Sequence, residues 1–170
     1  TGQHFDKNMS DIFFDELKIS KPKYILDIHS CSHGKMTGQM LIAIEEVFLN
    51  EKPDLVLVYG DTNSTLAGAI AASKLNIPLA HVEAGLRSFN QKMPEEINRI
   101  VTDRVSSLLF CPTETAVNNL YNEGVKKGIN LVGDVMFDIA IFYKQRAFEK
   151  SSILETLNLK KQKFVSFPYE

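Results

Sequence analysis

The stretch "LVLVYGDTNSTLAGAIAA" at residues 55–72 decides the fold class. Its first part is a short apolar run typical of a buried strand, and its second part is an uncharged segment that predicts a helix. Between the two, the chain turns at Gly60 and presents the carboxylate of Asp61. A strand that passes through one short loop into a helix is the repeating unit of a parallel α/β sheet.

The same alternation of strand and helix continues along the chain. Strands are predicted at residues 23–28, 54–60, 78–84, 108–113, 129–133 and 163–167, and helices at 9–17, 39–51, 63–75, 94–106, 114–124, 135–148 and 151–158. No hairpin signal separates the strands, and their continuous apolarity predicts that both faces are covered. The sequence therefore predicts an α/β fold with a doubly wound, Rossmann-like parallel sheet.

The composition excludes several classes of protein. The chain has 170 residues, of which 44% are hydrophobic and 24% charged, with a formal net charge of −2. Such a balance predicts one globular domain and provides no basic surface for nucleic acid or an anionic membrane. No apolar run is long enough to cross a bilayer, and we expect a cytoplasmic protein. The two cysteines, Cys31 and Cys111, do not resemble a disulfide framework and are predicted to be free thiols.

Three carboxylates are candidates for a functional site. Asp61 follows one predicted strand, Glu83 of "HVEAG" follows the next, and Glu95 of "MPEEINR" lies where Pro94 begins a helix. Ligands of parallel α/β sheets bind at the carboxyl ends of the strands. We therefore expect the three acids to face one pocket, where they suit general acid–base chemistry.

Each candidate also has a structural alternative. Asp61 is equally well placed to cap the following helix, and Glu95 and Glu96 in a first turn interact favourably with the helix dipole. The argument for function is stronger at Glu83, because acids that follow buried apolar residues are seldom buried unless paired or functional. Arg87 and Arg99 each follow an acid by four positions. Each is either an ion-pair partner of that acid or a clamp on substrate anions.

The histidines and glycines limit the choice of cofactor. His29, Cys31 and His33 alternate in a polar loop, but no second cluster of ligands accompanies them, so a metal site there is disfavoured. His4 and His81 are more favourable site residues, although His81 is equally consistent with a core histidine. The sequence contains no GxGxxG motif, P-loop or nucleophile elbow, and we predict no cofactor and no metal.

Five motifs in one order carry a family resemblance. The segments are "VYGDTNSTLAGA", "AHVEAGLRS", "MPEEINR", "FCPTETAVNNL" and "VGDVMFD". Together they resemble the N-terminal domain of the non-hydrolysing UDP-N-acetylglucosamine 2-epimerases. The resemblance implies one half of a two-domain architecture similar to GT-B glycosyltransferases. It also implies a domain that is incomplete at both ends: residues 1–162 would form the N-terminal domain without its first strand, and residues 163–170 would begin the C-terminal domain.

The resemblance further implies a reaction and its residues. A base removes the C2 proton of the sugar, UDP leaves from C1, and UDP adds back after reprotonation on the opposite face. This reaction interconverts UDP-N-acetylglucosamine and UDP-N-acetylmannosamine, or the two epimers of a modified UDP-HexNAc. The products are precursors of surface polysaccharides, and the enzyme is expected to be a homodimer. The catalytic residues implied are Asp61, Glu83 and Glu95, and the substrate-binding residues are Gln3, His4, Thr62, His81, Arg87 and Arg99.

Several alternatives to this function stay open. Gln3 and His4 are followed by Phe5 and Asp6, which is more similar to relatives that act on sugars such as UDP-2,3-diacetamido glucuronate. UDP-N-acetylglucosamine is the first choice because of its breadth in the family. A catalytically inactive truncated domain that retains a binding or dimer surface is the main alternative. A GT-B glycosyltransferase and a hydrolysing epimerase are less favoured.

Overall fold

A computed structural model describes Phe14 and residues 17–159 of the chain. Its sheet has four parallel strands in the order β1-β2-β3-β4, namely β1 (Val56–Tyr59), β2 (Leu79–Val82), β3 (Leu108–Cys111) and β4 (Ile129–Leu131). The helices are α1 (His33–Glu51), α2 (Asn63–Lys74), α3 (Pro94–Val105), α4 (Glu114–Asn122), α5 (Val135–Lys150) and α6 (Ile153–Thr156). The predicted α/β fold with a parallel sheet is confirmed.

The environment of helix α2 explains why its only charged residue is Lys74, in the last turn. Most of its residues are buried, including four alanines, and a helix that is apolar on nearly every side is one that packs on nearly every side. Gly68 brings the helix close to the sheet, because a Cβ atom there would lie 3.3 Å from the Val58 side chain. The hydroxyl of Thr62 caps the helix by accepting a hydrogen bond from the Thr65 N–H group.

The strand register determines where the functional candidates lie. Tyr59 pairs with Val82, and Val82 pairs with Phe110, so the carboxyl ends of β1, β2 and β3 are level. The Gly60 N–H group donates to the Val82 carbonyl at 3.1 Å, which extends this alignment by one residue. Asp61 and Glu83 therefore leave the sheet at the same edge.

Burial differs between the strands more than the sequence predicts. Every residue of β2 is buried, as expected for a strand between two others. In β1 the side chains alternate, and Leu57 and Tyr59 are exposed by 45% and 60%. Among the described strands, the prediction of full burial on both faces therefore holds for β2 alone.

The predicted strand at residues 23–28 is wrong, because that segment has no strand in the structure. Asp27, inside the segment, has a positive φ angle of 50°, which is incompatible with extended backbone. Helix α1 begins at His33, six residues before the predicted start at residue 39. Of the helix predicted at residues 9–17, Phe14 and Leu17 are helical, and its remaining residues lie outside the described ones, as does the strand predicted at 163–167.

The chain divides into two compact units after Gly133. In the second unit the Asp134 carboxylate caps α5 by accepting from the N–H groups of Met136 and Phe137. The domain boundary predicted at residue 162 lies outside the described residues and stays a prediction. No helix in the described part of the chain is long and apolar enough to span a membrane.

Candidate active site

Asp61 lies in the loop between β1 and α2 and does not cap the helix, because Thr62 has that role. One oxygen of its carboxylate accepts a hydrogen bond from the Arg99 guanidinium. Its backbone carbonyl accepts from the Asn98 side-chain amide at 2.7 Å. The carboxylate is 26% exposed, so Asp61 is held by α3 on one side and is open to solvent on the other.

Glu83 has a left-handed backbone conformation, with a φ angle of 72°. This conformation costs a residue other than glycine about 1–3 kcal/mol and is often found at functional sites. The partly exposed Glu83 side chain makes no hydrogen bond or ion pair with the described residues. A Cβ atom at Gly60 would lie 3.4 Å from the Glu83 carboxylate. Glu83 therefore lies beside the residue that precedes Asp61, and a pocket shared by the two acids stays a prediction.

Gly85 keeps the Glu83 turn in contact with α4. Its φ angle is 79°, and an added Cβ atom would lie 2.3 Å from the Ala116 carbonyl oxygen. The Gly85 carbonyl also accepts a hydrogen bond from the Asn119 side chain at 2.9 Å. A glycine is required here both for the backbone conformation and for the close approach of the helix.

The adjacent acids Glu95 and Glu96 have different environments. Glu96 is 1% exposed, and its two oxygens accept from the N–H groups of Ser88 and Phe89, each at 2.9 Å. Burial alone would raise the pKa of Glu96, but these backbone hydrogen bonds and the Arg99 guanidinium lower it below its ordinary value. Glu95 is partly exposed in the first turn of α3. Its place in a pocket shared with the other two acids stays a prediction.

Arg99 links two of these acids. Its guanidinium bonds to Asp61 and lies 3.3 Å from the Glu96 carboxylate. The expected i,i+4 partner was Glu95, and the i,i+3 neighbour Glu96 takes its place. The sequence left two roles open for Arg99, an ion pair and a clamp on substrate. The structure shows the ion pair, with 19% of the side chain exposed.

Arg87 is a buried ion-pair residue in this structure. Its side chain is 1% exposed, donates twice to Glu123 at 2.7 Å and lies 2.8 Å from Asp103. It also donates to the Leu86 carbonyl at 2.7 Å. Burial alone would lower the pKa of Arg87, but the hydrogen bonds with Glu123 and Asp103 raise it. Because most of its donors are used inside the protein, the structure favours the ion-pair alternative over a clamp on substrate.

His81 is fully buried. Its Nε2 atom lies 2.8 Å from the Gly60 carbonyl oxygen, and its Nδ1 atom lies 2.7 Å from the Asp103 carboxylate. Because both ring nitrogens are bonded inside the protein, the structure favours the core-histidine alternative, and a contact of His81 with substrate stays a prediction. Of the other predicted substrate contacts, Thr62 caps α2, and Gln3 and His4 lie outside the described residues.

The alternating donors His29, Cys31 and His33 do not converge. His29 lies 2.8 Å from the Ser30 hydroxyl, the Cys31 thiol lies 3.7 Å from the Gln39 amide oxygen, and His33 lies 3.1 Å from the Asn63 amide. Within the residues that the structure describes, no three His, Cys, Asp or Glu side chains are placed to hold a metal ion.

A largely apolar groove of about 580 Å³ borders this region at the first turns of α1, α2 and α3. Asn63 and Asn98 form part of its wall, and the Asn98 amide also bonds the Asp61 carbonyl. The carboxylates of Asp61 and Glu83 are not part of the wall. The groove is therefore a neighbour of the two acids rather than their pocket.

Comparison with known proteins identifies the family. The family profile described as UDP-N-acetylglucosamine 2-epimerase matches residues 1–168. The chain belongs to this epimerase family. A solved family structure, the Methanocaldococcus jannaschii UDP-GlcNAc 2-epimerase in complex with UDP-GlcNAc and UDP, superposes with a TM-score of 0.90 at 53% identity, covering 93% of this chain and 44% of that one. The predicted membership of one half of a GT-B-like architecture agrees with this similarity.

Curated epimerases show the same relationship. The UDP-2,3-diacetamido-2,3-dideoxy-D-glucuronate 2-epimerase of Pseudomonas aeruginosa is 67% identical over 150 residues, which are 86% of this chain and 42% of that protein. A UDP-N-acetylglucosamine 2-epimerase homolog of Methanococcus maripaludis is 61% identical over 167 residues, 97% of this chain and 46% of that protein. The chain thus spans less than half the length of these curated relatives.

In this epimerase-family chain, α3 provides site residues that the sequence analysis missed. Its buried residues are all polar, namely Glu96, Asn98, Thr102 and Asp103, whereas Ile97 is 43% exposed. A signal for this arrangement was present, because charged residues at 96, 99 and 103 follow i, i+3, i+7 spacing and share one helical face. The sequence analysis related Glu96 to the helix dipole and Arg99 to an ion pair or a clamp, and it did not consider Asp103. In the structure Glu96 and Asp103 are buried, and Arg99 is partly exposed.

Proposed function

We propose that the protein containing this chain is a UDP-HexNAc 2-epimerase that eliminates and re-adds UDP. The observation that carries the proposal is the position of Glu83, whose carboxylate has no bond within the described residues and lies beside the Gly60–Asp61 loop. Two carboxylates at the carboxyl edge of a parallel sheet match the expected place of a substrate site.

The chemistry of the reaction explains why such acids are needed. The C2 proton of the sugar has no carbonyl beside it and is weakly acidic, so its removal requires a well-placed base and a good leaving group. A carboxylate takes the C2 proton, a double bond forms between C1 and C2, and the C1–O bond breaks to release UDP. A second acid delivers a proton to the opposite face of C2, and UDP re-forms its bond to C1.

The surroundings of the acids support a division of roles. Glu83 is free to exchange a proton with substrate, because no described residue occupies its oxygens. Asp61 is oriented by Arg99 and keeps an exposed side. Glu95 is the third proposed catalytic acid, one turn before Arg99 on α3.

The sugar is proposed from the relatives. UDP-N-acetylglucosamine is our first candidate, since curated relatives of Methanocaldococcus jannaschii and Methanococcus maripaludis carry that name at 58% and 57% identity. UDP-2,3-diacetamido-2,3-dideoxy-D-glucuronate is the second, and the 67% identity to the Pseudomonas aeruginosa enzyme named for it favours it specifically. The family resemblance also supports a cytoplasmic homodimer that supplies precursors of surface polysaccharides, and light scattering of the purified protein tests the dimer.

A deuterium experiment tests the activity. The complete product of the reading frame that encodes this chain is incubated with each UDP-sugar in D₂O, and NMR follows C2. We expect deuterium at C2 and a mixture of C2 epimers that retain UDP. Release of free sugar and UDP would indicate a hydrolysing enzyme, and transfer to an added acceptor a glycosyltransferase. If deuterium appears at C2 of neither sugar, the alternative of a catalytically inactive domain is supported.

A further inference from the structure

The Asp103 carboxylate on α3 is the centre of a buried hydrogen-bond network. It is 2% exposed and lies 2.7 Å from His81 Nδ1, 3.1 Å from the Gly85 backbone nitrogen and 2.8 Å from the Arg87 guanidinium. His81 in turn donates to the Gly60 carbonyl at 2.8 Å. One carboxylate is thus connected to the two loops that follow β1 and β2.

These two loops hold the proposed catalytic acids. Gly60 directly precedes Asp61, and Gly85 closes the left-handed turn that begins at Glu83. The His81 ring spans from β2 to the end of β1 and links the Gly60 carbonyl to Asp103 on α3. The Gly85 N–H group links the Glu83 turn to the same carboxylate.

A purely structural explanation for this network is weak. Burying charged groups costs several kcal/mol each before their mutual attraction is counted, and apolar residues of similar volume often replace such groups without loss of stability. A polar network that is fully bonded is rigid and specifies one geometry. Such rigidity is useful where two carboxylates must keep a fixed separation.

We infer that Asp103 and His81 form a positioning pair that sets the separation of the Asp61 and Glu83 carboxylates. The inference rests on the proposed function, because it assigns the pair a role in that reaction. Neither residue contacts substrate. Asp103 acts through Gly85 on the Glu83 turn, and it acts through His81 on the Asp61 loop.

A matched pair of variants separates the two contacts of His81. The Gly60 carbonyl only accepts hydrogen bonds, so Nε2 of His81 carries a proton. In His81→Gln the side-chain amide nitrogen reaches as far as Nε2 and can restore the bond to Gly60. In His81→Asn the amide nitrogen reaches only as far as Nδ1, which restores the contact with Asp103 and leaves Gly60 without its donor.

The deuterium assay of the complete gene product, run at several concentrations of the UDP-sugar that the wild type uses, gives kcat and KM for both variants. We expect kcat to fall on the order of 100-fold in His81→Asn, with KM unchanged within about threefold, because a misplaced catalytic group mainly slows the chemical step. We expect His81→Gln to recover most of kcat. Equal kcat values for wild type and folded His81→Asn would overturn the inference, as would equal losses in the two variants.

A second pair and a measurement on the wild type guard against misfolded variants. Asp103→Asn can donate to His81 Nδ1 and still accept from Gly85, so it should retain activity that Asp103→Ala loses.

In the wild type, NMR should detect a coupling through the hydrogen bond between His81 Nε2 and the Gly60 carbonyl carbon, and its absence would overturn the inference. A wild type without C2 exchange but with this coupling would instead refute the proposed function.

Discussion

At the scale of single residues, Glu83 shows how the fold stores strain beside the proposed chemistry. A left-handed glutamate is uncommon, and the turn is maintained by Gly85 against α4. The conformation directs an unbonded carboxylate toward Gly60. A residue whose only purpose was to end the strand would be more stable as asparagine or glycine, which tolerate positive φ.

We therefore predict that Glu83→Gln removes activity and leaves stability unchanged. The substitution preserves size and removes the group that accepts the proton, so kcat for C2 deuterium exchange should fall by about 10²–10⁴-fold. Glu114→Gln is the control, since Glu114 is an exposed acid in the first turn of α4. Activity of Glu83→Gln close to that of the control would contradict a catalytic Glu83.

Gly85 supports a prediction about stability at the same scale. Gly85→Ala and Gly124→Ala both place a side chain at positive φ, 79° and 82°, which costs about 1–2 kcal/mol. At Gly85 the new methyl group also overlaps the Ala116 carbonyl oxygen, which adds about 1–3 kcal/mol, whereas nothing lies within 4 Å at Gly124. Urea unfolding should therefore show the larger loss for Gly85→Ala. Equal losses would mean that α4 does not approach the turn this closely.

At the scale of elements, Glu96 joins helix α3 to the loop that follows the Glu83 turn. Its carboxylate accepts from two backbone N–H groups, and its folded pKa lies below its ordinary value of 4.5. A lowered folded pKa means that the ionised group stabilises the fold above pH 4.5, and that this stability is lost as the pH falls below 4.5 through the folded pKa.

We predict that Glu96→Gln is less stable than wild type at pH 7 by about 1–3 kcal/mol, because the amide can accept from one of the two N–H groups and opposes the other. The free energy of unfolding, measured with urea at several pH values between about 5 and 3, should also fall less in the variant than in wild type. Glu95→Gln, one residue away in the same turn and partly exposed, serves as the control. An identical pH dependence in wild type and Glu96→Gln would contradict the anchoring role.

Elements differ in how much the sequence could reveal about them. The predicted strands at 54–60, 78–84, 108–113 and 129–133 each contain an observed strand, because short apolar runs ended by turn residues are strong local signals. The strand at 23–28 failed since apolar spacing alone does not provide a partner strand, and Ile25 is 72% exposed. The positive φ angle of Asp27 could not be predicted from the amino-acid composition of the segment either.

The site was predictable to a similar degree. Asp61 and Glu83 were identified because both follow apolar strands, where the topology alone places functional groups. The roles of Glu95 and Glu96 could not be separated, because adjacent helical residues differ by about 100° in direction and only packing decides which one faces inward. Asp103 was missed for a different reason: its partners His81 and Gly85 are 22 and 18 residues away in the sequence and meet it only in the folded chain.

At the scale of the whole molecule, the two cysteines report separately on local access and on global unfolding. Cys31 is partly exposed beside α1, whereas Cys111 at the end of β3 is fully buried. Burial raises the pKa of the Cys111 thiol to about 11, so at pH 8 almost none of it is the reactive thiolate. Both the missing thiolate and the surrounding sheet protect Cys111 from modification.

We therefore predict that Cys31 and Cys111 of this chain react in two phases with a thiol reagent at pH 8. Cys31 should react at once in the folded protein, and Cys111 should react only as the molecule unfolds, because a buried thiol in the central strands is exposed by global opening. In a Cys31→Ser variant the remaining reaction should follow the loss of circular dichroism across a urea titration. Rapid labelling of that variant without urea would show that β3 opens locally and would contradict the prediction.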